Sequence, residues 1–121
     1  MAFDADDKEK LVESLTEARR SGQKLEVTLR LQGKPDDADK VQKKNKALSD
    51  QIDVLIGKLM DDWVATADPL VSRVRKGSAQ VQAAINDIKQ KVDVAQNVVK
   101  ALGALDDAIA VAKTALAAAA I

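Results

Sequence analysis

Apolar residues recur along this chain in alternating steps of three and four. The first line is Leu11, Leu15, Ala18, Gly22, Leu25 and Leu29, and the second is Ala38, Val41, Asn45, Leu48, Ile52, Leu55 and Leu59. A third line runs through Val74, Ser78, Val81, Ile85, Ile88, Val92, Ala95, Val99 and Leu102, and is continued by Leu105, Ile109, Ala112 and Leu116. Such spacing, sustained over several heptads, marks helices that bury one stripe lengthwise against a neighbour.

Turn residues divide these lines. Gly33-Lys34-Pro35-Asp36-Asp37 is the clearest break, because Gly33 can take a left-handed C-cap and Pro35 stops the preceding helix. Asp68-Pro69 is a good N-cap and first-turn pair, and Gly103 followed by Asp106-Asp107 is a weaker third break. The helices predicted are 5–32, 36–66, 69–102 and 106–120. A helix of about 30 residues is about 45 Å long and needs a packed face to be stable. The fold expected is all-α: an antiparallel up-down helical bundle in one domain, 1–121, with three long coiled-coil-like helices and a shorter C-terminal one.

Two stretches compete with this reading. Leu25 to Gln32 alternates apolar and polar, as a strand does, but no second stretch alternates as cleanly, and an unpaired strand leaves backbone groups unsatisfied. Helix is favoured there. Gly22, Gly57 and Gly77 fall inside predicted helices, where each costs about 1 kcal/mol relative to Ala unless close helix contact offsets it. Gly77-Ser78 could break the third helix, but the line keeps phase from Val74 to Val81, so continuity is favoured.

Composition narrows the function classes. The 121 residues carry 19 basic and 19 acidic side chains, no Cys, no His and no Tyr, with aromatics at 2%. Zinc and most transition-metal sites need imidazole or thiolate, and Ser-His-Asp or Cys-His catalysis needs a histidine. No enzyme, cofactor or metal is expected. The N-terminus is acidic with no apolar run after it, and no stretch is long and uncharged enough to span a bilayer. A cytoplasmic protein is expected, with export by a leaderless route left open. Residues 1–68 hold 27 of the charges and 69–121 hold 11, so the C-terminal half is expected to be the most enclosed or to meet a partner.

Particular residues carry the candidate chemistry. Asn45 on the second seam could fix register, though a position near the wet end of the helix explains it as well and is favoured. Trp63 could anchor an interface or plug the end of an aromatic-poor bundle, and the plug is favoured. Ile109 and Leu116 lie in the low-charge tail from Ala108 to Ile121, which would be an association patch if exposed, though packing onto the bundle is favoured. Lys40, Lys43, Lys44 and Lys46 form a basic cluster, as do Arg73, Arg75 and Lys76, and Arg19, Arg20 and Lys24. Zero net charge and few aromatics disfavour nucleic acid, and pairs such as Asp36 with Lys40, Asp39 with Lys43 and Asp87 with Lys91 suit solvated faces. Asp4, Asp6 and Asp7 lack the glycine and closing Glu of a calcium loop. They read instead as helix N-terminal acids, as do Asp36-Asp37 and Asp106-Asp107.

Trp63 near a turn in a short helical chain resembles the small secreted hairpins that carry a Trp-x-Gly turn. That resemblance implies export as a helical hairpin. Here the tripeptide is Trp63-Val64-Ala65, without the glycine, and no Tyr is present for a tyrosine-based export signal. The function expected is a non-enzymatic protein–protein interaction module, self-associating or docking a protein partner through coiled-coil-like faces. The alternative is a leaderless secreted or membrane-acting helical protein, such as a toxin component or export-system substrate. No small-molecule substrate is evident, and membrane binding has no support in the weak moment of the Ala-rich tail.

Overall fold

The computed structural model describes residues 5–58 and 67–116, which form four helices: α1 (Ala5–Leu31), α2 (Pro35–Gly57), α3 (Ala67–Lys89) and α4 (Val94–Leu116). No strand occurs among the described residues, and Leu25 to Leu31 is helical. Tertiary burial of Leu25, Thr28 and Leu29 overrides the local alternation there. Thr28 satisfies its hydroxyl by donating to the Lys24 carbonyl at 2.8 Å.

The two hairpin turns share one device. In the first, Gly33 takes φ +73°, its N–H donates to the Arg30 carbonyl, and the Lys34 N–H reaches back to the Leu29 carbonyl at 2.9 Å. In the second, Lys91 takes φ +61°, its N–H donates to the Ile88 carbonyl, and the Val92 N–H reaches the Asp87 carbonyl at 2.8 Å. Both are Schellman caps, which satisfy the last carbonyls of a helix through one left-handed residue. Pro35 then opens α2 at its first position, with Asp36 and Asp37 in the first turn facing the positive end of the helix dipole.

The second cap changes the helix bounds. The expected helix over 69–102 ends at Lys89, and α4 starts at Val94 and runs through Gly103 without a break. The bundle therefore has α2, α3 and α4 at 23 residues each and α1 at 27. A new helix start also resets the phase. Val92, Ala95 and Val99, on the expected seam, are exposed, and the buried line of α4 is Val98, Ala101, Ala104, Leu105, Ala108, Val111, Ala112 and Ala115. Asp106 and Asp107 consequently sit in the middle of α4, not at a helix start. Pro69 lies within the first turn of α3, where its missing N–H has no intrahelical role.

Elsewhere the seams are inward as expected. Leu11, Leu15, Leu25 and Leu29 of α1 are fully buried, as are Val41, Leu48 and Leu55 of α2 and Ile88 of α3. They join one core drawn from all four helices. Within it α1 lies beside α2 and α3, and α4 lies beside α3 and α2; among the described residues α2 and α3 do not touch. The molecule is thus an all-α up-down bundle of two helical hairpins, with α1 and α4 meeting across its middle. No described helix is long and apolar enough to cross a membrane.

Candidate interaction surface

The hairpin formed by α1 and α2 is locked by a polar group inside its seam. Asn45 is only 7% exposed and lies mid-helix, not near a wet end. Its Nδ2 donates to the Arg19 carbonyl at 3.0 Å, while its Oδ1 is buried and unpartnered. It fits because residue 22 has no side chain: a methyl on Gly22 would overlap the Asn45 amide. Arg19 also donates from Nη1 to Ser49 Oγ at 3.3 Å. A buried amide that can bond at one axial position only specifies register, so this group fixes how α1 slides on α2. At the end of the hairpin, Arg30 bridges Glu26 at 3.1 Å and Asp39 at 2.9 Å. Asp39, then Glu26, holds the guanidinium pKa above its ordinary value. Asp39 therefore serves Arg30, not the expected Lys43, and Lys40 lies 4.0 Å from Asp37.

The hairpin formed by α3 and α4 is built differently. Its helices meet through small residues: Gly77 faces Ala104, with 3.6 Å available between an added Gly77 methyl and the Ala104 Cβ. Ala84 and Ala101 are buried beside them. Small side chains let helix axes approach toward the short end of the usual 8–10 Å. They also leave the outer side of the pair hollow. A groove of about 740 Å³ runs along it, floored by Gly77, Ala84, Gly103 and Ala104. Its rim carries both signs: Arg73 bonded to Asp107 at 2.5 Å, Lys76, Asp87 and Lys100.

Beside this groove the outer face of α4 presents Gln96, Val99 and Lys100. Val99 is 69% exposed. A methyl on Gly103, one turn further on, would meet no atom within 4 Å. The sequence lines placed Val99 inward and read Gly103 as a break. Both were misjudged for the same reason: the turn at Lys91 carries no glycine or proline to announce it.

The expected site residues fall in different places. Asn45 is a buried register residue between α1 and α2. Ile109 is half-buried at the edge between α2 and α4, packed against the core and open to a groove there. Trp63 lies outside the described residues, and so does the side chain of Leu116. The two that are described, Asn45 and Ile109, are not brought together: one faces α1 and the other the edge between α2 and α4. Among the described residues no group of three or more carboxylates is placed to hold a metal ion. Comparison of the chain with protein-family models, with curated proteins and with solved structures finds no match.

Proposed function

We propose that the protein is a non-enzymatic interaction module that associates through the outer face of α3 and α4, with a helix of a second copy as the occupant. The observation that carries this reading is Gly103. A glycine inside an exposed helix costs about 1 kcal/mol relative to Ala. Ala104 accounts for Gly77, but no described neighbour accounts for Gly103. A helix laid into the groove from outside supplies that neighbour, with Val99 as the apolar contact beside it. Rim charges of both signs favour a copy of the same surface over a strongly charged partner, because opposite signs can meet when the surface is turned on itself. The fit is of the helix-in-groove kind, read by residues three and four apart.

Sedimentation equilibrium of the wild type and of Val99→Asp from low to high micromolar concentration tests this. The expected result is association that the substitution weakens. A strict monomer, or an oligomer indifferent to Val99→Asp, contradicts it.

A further inference from the structure

The face between α2 and α4 carries a second groove of about 430 Å³, chemically unlike the first. Lys40, Lys43 and Lys44 enter it from α2 and Lys113 from α4, over a floor of Ala47 and Ile109. Its one acid, Asp106, bonds Lys44 at 2.7 Å. That leaves three lysines. Lys43 and Lys113 make no ion pair among the described residues, and Lys40 only a long one to Asp37. In a chain of zero net charge this is a local positive field around a small apolar floor.

We propose that this groove docks a short acidic amphipathic helix of a partner protein. Its apolar residue would sit on Ala47 and Ile109, with its carboxylates on Lys40, Lys43 and Lys113. The shape and charge argue for that occupant. Residues 40–47 and 106–113 each span about 10 Å of helix, enough for about two turns of a helical peptide. Asp36, Asp37 and Asp39 precede the lysines on α2, and Asp50 and Asp53 follow them, so the positive field ends where the groove does. A duplex needs a longer basic stripe for its many phosphate contacts, and single strands need aromatic faces to stack on; this groove has neither. The site lies on the α2 side of α4, whereas the first groove lies on its α3 side; Val99 is in the same row as Asp106 and Lys113, about 10 Å and about 20 Å away along the helix, and lines neither groove.

The test uses the full chain and a fluorescently labelled synthetic helix in which Glu residues flank Leu at helical spacing. Fluorescence anisotropy should show saturable binding that weakens with salt. Lys43→Glu with Lys113→Glu should weaken it roughly tenfold or more, while Lys24→Glu with Arg75→Glu, the same charge change on the exposed faces of α1 and α3, leaves it unchanged. Circular dichroism confirms that the variant folds; should the reversal lower its melting temperature, Lys43→Gln with Lys113→Gln replaces it. The proposal is overturned if the peptide does not bind or the lysine changes have no effect. It is equally overturned if poly-glutamate lacking the leucines binds as well. An oligonucleotide of equal charge, or phosphatidylserine vesicles, binding more tightly than the peptide would overturn it in favour of those partners. Self-association abolished by the lysine changes would assign the groove to a second copy instead.

Discussion

Adding one methyl group at Gly22 sets helix propensity against packing. In an isolated helix Gly→Ala is favourable by about 1 kcal/mol. Here the new methyl would overlap the Asn45 amide, whose residue is 7% exposed and whose Nδ2 is held by the Arg19 carbonyl at 3.0 Å. Either α1 and α2 separate or Asn45 swings away. Overpacking of this kind costs about 1–3 kcal/mol, and loss of the hydrogen bond adds about 1 kcal/mol. Gly22→Ala should therefore destabilise the protein by about 1–3 kcal/mol after the propensity gain is deducted. Urea unfolding followed by circular dichroism reads this as a lower midpoint at unchanged slope. The double variant Gly22→Ala with Asn45→Ala supplies the control. The methyl then occupies space that the amide has left, so the pair should be more stable than the sum of the single changes by about 1 kcal/mol or more. A Gly22→Ala protein as stable as the wild type, or strictly additive effects, would refute the reasoning.

Three further outcomes follow from the same geometry. Gly103→Ala, the same chemical change where nothing stands within 4 Å, should raise the stability of the dilute protein by about 0.5–1 kcal/mol in the same urea assay. Lys91→Gly should stabilise by up to about 1 kcal/mol, because Lys91 holds a left-handed φ of 61° that costs a side chain about 1–2 kcal/mol; a lower thermal midpoint would contradict this. Asn97 is buried, and its Nδ2 donates to the Val92 carbonyl at 3.0 Å and the Asp93 carbonyl at 3.2 Å. Asn97→Ala should cost about 1–3 kcal/mol, with faster amide exchange over residues 90–97 as the local sign.

The two hairpins differ in how far the sequence disclosed them. The first was the more legible: Gly33 and Pro35 announce the turn, and the seams from Leu11 to Leu29 and from Ala38 to Leu55 both face inward, although α2 ends at Gly57, short of the expected 66. What stayed hidden was the pairing of Gly22 with Asn45. Each residue is unfavourable alone, and only the crossing of the helices shows that one makes room for the other. The second hairpin was misread because Lys91 performs the role that glycine has at residue 33. Without that mark the apolar line from Ile88 to Leu102 looked continuous, so Val99 was placed inside and Asp106-Asp107 at a helix start. They are in fact cross-helix partners, to Lys44 and Arg73. The candidate surface was legible only as a bias, the low charge of the C-terminal half. Its groove arises from Gly77, Ala84 and Ala104 meeting across two helices, which no single segment displays.

The absence of cysteine allows one label to be placed cleanly. A nitroxide on Gln96→Cys would sit on the outer face of α4 beside Val99. If two copies meet through this face, dipolar spectroscopy at high concentration should give a defined intermolecular distance. That distance should vanish on dilution with unlabelled protein and on Val99→Asp. Labels that never sense one another at any concentration would contradict the account.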